Sequence, residues 1–192
     1  MTRILTVLAA ILMALPLSAA ELGDDGLHKT DWMRETFKDL REDLQEANAE
    51  GKRLMLIVEQ RGCIYCTRMH EKVFPRPEID SYIRENFFVV QINLHGQTEV
   101  TDFDGEVLSE KAAARKWGLL FTPSILFLPE EVPEGESAAQ AAVALMPGAF
   151  EAATTLDLLT WVNEKRYALD TEEDFQRYHA RRIQERASRN SD

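Results

Sequence analysis

Residues 53–74 read RLMLIVEQRGCIYCTRMHEKVF. The first seven, Arg53 to Glu59, form a continuous apolar run of strand length, of the kind buried on both faces of a sheet. Gly62-Cys63-Ile64-Tyr65-Cys66 follows at once, and Cys63 to Phe74 then reads as helix until Pro75 and Pro77 interrupt it. A strand running straight into a helix that opens on Cys63 places both sulfurs at one helix end, three positions apart. There the unpaired backbone N–H groups and the helix dipole favour an anion, so a Cys63 thiolate is stabilised and nucleophilic near neutral pH. Cys66, one turn inward, is better shielded and suited to resolve a mixed disulfide. Arg61, Arg68 and His70 add positive charge nearby in sequence.

Other uses of the pair compete with this one. A purely structural disulfide would close a tiny loop and add little stability. A metal site can draw on Cys63, Cys66 and His70, since Cys66 and His70 are i,i+4 on one helical face, but structural zinc wants four ligands and there is no second Cys pair. Covalent haem attachment needs His directly after the second cysteine, and position 67 is Thr.

Working outward, Glu78 to Asn86 reads as helix and FFVVQINL (87–94) as a second fully apolar strand. Asp104-Gly105 is a hairpin signal, Ser109 caps a short helix to Trp117, and Gly118 stops it. SILFL (124–128) is a third apolar strand, AAVALM (141–146) a fourth, and a helix runs from about Thr155 to Tyr167. Upstream, Thr30 is the expected N-cap of a helix whose stripe is Met33, Phe37, Leu40, Leu44 and Ala47, ended by Gly51. Its acidic positions between 35 and 50 read as a solvated face. Helix–strand alternation followed by a terminal hairpin implies a mixed α/β sheet covered by helices on both faces.

The chain is 192 residues long with a formal charge of −11, which suits one domain and disfavours a phosphate-backbone partner, so no nucleic acid is expected. Residues 1–20, MTRILTVLAAILMALPLSAA, carry Arg3, an apolar run, Pro16 and small residues at 18–20. They read as a secretory signal peptide cleaved after Ala20, which makes the protein periplasmic if the cell is Gram-negative. The expected organisation is signal peptide 1–20, polar leader 21–30, core domain 31–167 and a charged helical tail 168–192. The tail is capped by Thr171 with Asp174 and held lightly by Phe175, Tyr178 and Ile183. His28, His95 and His179 fall in the leader, a loop and the tail and read as solvated; Trp117 and Phe121 read as core or rim.

A strand followed by CxxC opening a helix resembles the thioredoxin-fold proteins over roughly residues 31–167. EQRGCIYC (59–66), the long segment 87–108 and KWGLLFTPSILFL (116–128) are most similar to the exported thioredoxin-related proteins of the bacterial sulfur-oxidation system, the SoxW type. The resemblance implies a thioredoxin-like mixed sheet with an extra C-terminal helix and a thiol–disulfide oxidoreductase that reduces protein disulfides. Cys63 attacks and Cys66 resolves; Thr122-Pro123 forms a cis-proline turn facing the pair, with the Thr122 backbone pairing with an extended substrate. Tyr65, between the cysteines, is expected to touch substrate. No bound cofactor or metal is implied beyond the Cys63–Cys66 disulfide. The expected partners of this monomer are a disulfide-containing protein substrate and a membrane thiol electron donor.

The sequence also departs from the thioredoxin pattern. Gly62 stands where tryptophan is usual, Ile64-Tyr65 replaces Gly-Pro, and Ile57 replaces the buried carboxylate six residues before the first cysteine. Glu59 lies two residues later on the same strand face. It is either the proton acceptor for Cys66 or a solvated residue at a strand end. From a different functional class, a metal-binding or copper-delivery module using Cys63, Cys66 and His70 is the alternative.

Overall fold

The computed structural model describes residues 21–169 and 173–189; the expected signal peptide and the Thr171 cap lie outside the described residues. The chain runs through β1 (Glu21–Leu22), β2 (His28–Lys29), β3 (Met33–Arg34), α1 (Leu40–Ala49), β4 (Arg53–Glu59), α2 (Ile64–Arg68), α3 (Pro77–Asn86) and β5 (Phe87–Asn93). It continues through β6 (Glu99–Thr101), β7 (Val107–Ser109), α4 (Glu110–Lys116), β8 (Ser124–Phe127), α5 (Ala138–Ala141), β9 (Ala144–Pro147), α6 (Ala152–Asn163) and α7 (Phe175–Arg189). The central sheet has the order β3-β5-β4-β8-β9. β3, β5 and β4 are parallel, while β8 and β9 join antiparallel.

β4 and β5 lie at the middle of this sheet and are covered on both faces, which is why neither shows hydrophobic alternation. Leu54, Leu56 and Val58 face a core with Leu40, Leu44, Ala113 and Trp117 from α1 and the α4 end. Met55 and Ile57 face the other, with Met69, Phe74, Ile79, Leu158 and Leu159. Glu59 follows in that second set, so strand alternation aims its side chain at the layer that carries the cysteines. The Asp104-Gly105 turn joins β6 to β7, and Ser109 Oγ accepts from Ala112 N at the head of α4, as the sequence predicts.

Four expectations are corrected. The first helix starts at Leu40, not after Thr30: Lys38 has φ 59°, and the Asp39 carboxylate caps the helix by accepting from Arg41 N and Glu42 N. Met33 instead pairs with Val89 as an edge strand, and Phe37, placed in the stripe by its spacing, is 96% exposed. The acidic helix is not solvated throughout, because Asp43 is buried and accepts from the Thr36 hydroxyl. The polar leader is folded: β1 pairs with β2, and Leu27 between them is 2% exposed.

The tail is also more firmly held than its few apolar residues suggest. Tyr178 is buried, and Phe175 packs edge-on against Trp161. Buried Asp157 of α6 accepts two hydrogen bonds from Arg186 at 2.8 Å and one from His179 at 2.6 Å. Cations on α7 neutralise a carboxylate that otherwise would not tolerate burial. Asp174 takes the capping position, its carboxylate accepting from Arg177 N. Among the described residues, no helix is long and apolar enough to cross a membrane.

Candidate active site

β4 ends at Glu59, and Gly62 (φ 72°) turns the chain into α2. A Cβ at Gly62 would meet nothing within 4 Å, so its left-handed backbone, and not crowding, favours glycine where a thioredoxin carries tryptophan. Cys63 is the extended N-cap residue of α2. It forms a disulfide with Cys66, with the two Cα atoms 5.2 Å apart. Cys66 N donates to Cys63 Sγ at 3.0 Å, so a backbone group of the helix's first turn is aimed at the outer sulfur. Helix α2 continues as a π-helical turn over Met69–Val73.

The peptide bond between Thr122 and Pro123 is cis. It brings Thr122 against the disulfide: its hydroxyl donates to Cys63 Sγ at 3.2 Å, and its carbonyl oxygen lies 3.4 Å from the same sulfur. Gly148 N donates to Pro123 O at 2.7 Å, tying this turn to the end of β9. An open cleft of about 560 Å³ lies over the sulfur, lined by Gln60, Cys63, Ile64, Tyr65, Arg68, Leu120, Phe121, Thr122 and Gly148, among others. Ile64, Tyr65, Leu120 and Phe121 are more than half exposed, an apolar rim around a single reactive group. Phe121 is therefore rim, whereas Trp117 is core, its indole N–H held by the buried Asp102 carboxylate.

Behind the disulfide, Glu59 is 1% exposed and is not a solvated strand end. Its Oε1 lies 2.9 Å from His70 Nε2, and its Oε2 accepts from Gln91 Nε2 at 2.7 Å. Gln91 Oε1 in turn accepts from Lys29 Nζ at 2.6 Å. The folded leader thus closes the back of the site. His28 is not simply solvated: its ring stacks on His70 with centroids 4.7 Å apart, and its Nε2 lies 3.0 Å from the Thr67 hydroxyl. Cys63, Tyr65 and Thr122 therefore share the cleft surface, with Cys66 and Pro123 buried directly beneath it through the disulfide and the cis peptide bond, while Glu59 and His70 are also buried. Sequence reasoning named Glu59 and His70 separately but missed their pairing with each other and with Gln91, whose polar side chain inside the FFVVQINL run was the available signal. For the metal alternative, His70 Nε2 is already committed to Glu59. Among the described residues, no group of three or more His, Cys, Asp or Glu side chains is placed to hold a metal ion.

The sheet order, the CxxC disulfide at a helix start and the cis-proline turn against it define a thioredoxin-fold protein with a dithiol–disulfide site. The profile of the family described as the thioredoxin-like domain matches residues 40–160, and the chain belongs to that family. A search of curated proteins found no match. Among solved structures, a thioredoxin-fold protein from Helicobacter pylori is similar at 19% identity, covering 70% of this chain and 86% of its own, with a TM-score of 0.56. A thioredoxin from Thermus thermophilus (22% identity, 65% and 83% coverage, TM-score 0.49) is also similar. So is the oxidised C-terminal domain of DsbD from Neisseria meningitidis (14%, 64% and 91%, TM-score 0.44). At 19% identity the likeness to the Helicobacter pylori protein speaks to the fold alone. The family and the CxxC disulfide together support thiol–disulfide redox activity in general.

Proposed function

We propose that the protein is an exported, periplasmic thiol–disulfide oxidoreductase that reduces protein disulfides. One observation carries this reading: Cys63 Sγ forms the floor of an open, apolar-rimmed cleft, while its disulfide partner Cys66 is 1% exposed. In the reduced protein, Cys63 thiolate attacks a substrate disulfide, forming a mixed disulfide and expelling one substrate thiolate. Cys66 then attacks Cys63 Sγ, the second substrate sulfur leaves, and the Cys63–Cys66 disulfide is restored. Two electrons pass to the substrate, and none needs a bound cofactor. Tyr65 and Thr122 line the surface that receives the substrate, and Pro123, through its cis peptide bond, sets Thr122 there. Regeneration requires a dithiol donor, for which a membrane electron carrier is the fitting source, given the export signal read in residues 1–20. A place in sulfur oxidation rests on the resemblance of EQRGCIYC and KWGLLFTPSILFL to the SoxW type. The test is catalysed reduction of insulin by the chain lacking residues 1–20 with dithiothreitol as donor; loss of that catalysis in Cys63→Ser is expected, and undiminished turnover in the variant overturns the reading.

A further inference from the structure

We propose that His70 is the base that takes the proton from the Cys66 thiol, and that Glu59 acts through it as a positioning residue. This rests on the dithiol cycle proposed above and assigns the proton that the cycle leaves unplaced.

The assignment starts from hydrogen-bond bookkeeping around one buried ring. His70 is 1% exposed, its Nε2 faces Glu59 Oε1 at 2.9 Å, and among the described residues its Nδ1 has no hydrogen-bond partner. Lys29 can only donate, so Gln91 must present Oε1 to it and Nε2 to Glu59, which makes the Glu59 carboxylate an acceptor on that side. With Glu59 ionised, His70 donates through Nε2–H, and Nδ1 is left as a bare lone pair. The carboxylate then has both oxygens hydrogen-bonded, and the Lys29 charge reaches it through the Gln91 amide.

The resolving thiol lies on the same helical face: Cys66 in α2 and His70 in the π-helical turn that continues it are four positions apart, a spacing that puts the two side chains side by side. Both side chains are buried, so water has poor access to the thiol. His28 stacks on the His70 ring, and Phe74 meets it nearly at right angles with the centroids 5.1 Å apart. In the resolving step, the Cys66 S–H bond breaks and its proton passes to His70 Nδ1. The Cys66 thiolate forms the bond to Cys63 Sγ, and the bond from Cys63 Sγ to the substrate sulfur breaks. The substrate departs as a thiolate, and the imidazolium is held against Glu59 until the proton passes to water or to that thiolate.

The reduced protein mixed with Ellman's disulfide in a stopped-flow instrument separates the two steps. The first thionitrobenzoate is released by Cys63 at a rate proportional to reagent, and the second by Cys66 at a rate independent of it. His70→Gln and Glu59→Gln are expected to keep the first phase and to slow the second at pH 7, on the order of a hundredfold for His70→Gln and less for Glu59→Gln. The difference should narrow as pH rises toward the range in which the buried thiol ionises unaided. A His70→Gln second phase as fast as the parent's, or slowed equally at every pH, overturns the proposal; so does slowing in Glu59→Gln alone. If His70→Gln does not fold, the pH dependence of Glu59→Gln decides by the same criterion. Absence of two phases in the parent protein is the separate failure of the dithiol cycle itself.

Discussion

Thr122 Oγ1 donates a hydrogen bond to Cys63 Sγ at 3.2 Å. The hydroxyl comes from the cis-proline turn and not from the cysteine helix, so two distant parts of the chain converge on one sulfur. A donor aimed at that atom favours its anionic form, as does the backbone N–H of Cys66 from the other side.

Replacing that donor should be measurable on the thiol. Thr122→Val keeps the shape of a buried side chain and removes the hydroxyl. A hydrogen bond to a charged group is worth about 1.5–3 kcal/mol, so the Cys63 pKa should rise by about one to two units. The rate of iodoacetamide alkylation as a function of pH reads this directly; an unchanged profile means the hydroxyl does not serve the thiolate.

The unequal exposure of the two sulfurs predicts which one is found attached to substrate. Cys63 faces the cleft and Cys66 does not. Cys66→Ser should accumulate a mixed disulfide with an added disulfide-containing protein, stable in non-reducing electrophoresis and released by dithiothreitol. Cys63→Ser should accumulate none.

Asp43 should limit stability at neutral pH. Burial, together with the neighbouring carboxylates Asp39, Glu46 and Glu42, outweighs the Thr36 hydrogen bond and pushes its carboxyl up to about 7. A raised folded-state value means the stabilising form is the protonated one, so its contribution is intact below pH 3.8 and lost as pH rises to about 7. Asp43→Asn should therefore stabilise the protein at pH 8, on the order of 2 kcal/mol, and change little at pH 4. Urea titrations at the two pH values check the sign.

Asp157 carries the opposite dependence. Burial raises its carboxyl, but hydrogen bonds from Arg186 and His179 outweigh burial and hold it below the ordinary 3.8. Its stabilisation is present above that value and is lost as pH falls further. Asp157→Asn should cost about 2–4 kcal/mol at pH 6, leaving Arg186 without its carboxylate, and much less under acid conditions. Proteolysis of α7 should quicken in parallel.

The central strands were legible because burial on both faces writes them as unbroken apolar runs, and Ser109 and Asp104-Gly105 carry their own turn chemistry. The first helix was misplaced because Met33 and Phe37 happen to continue the spacing of Leu40, Leu44 and Ala47. Nothing in the pattern marks Lys38 as the left-handed residue that ends the preceding segment. The cysteines announced the site, but the pairing of Glu59 with His70 and Gln91 joins residues 11 and 32 positions apart. That pairing depends on β4–β5 register and on the fold of the leader, neither of which is written locally. The docking of α7 escaped for a similar reason: its strongest anchor is a single aspartate on another helix.

The reduction potential of the Cys63/Cys66 pair, measured in thiol buffers with mass-tagging of free cysteines, tests the reductase reading most directly. A value near or below about −200 mV is predicted and places the pair among disulfide reductants. A value near −120 mV identifies an oxidant and contradicts the proposed direction of electron flow, and a pair that never forms a disulfide contradicts the redox reading altogether.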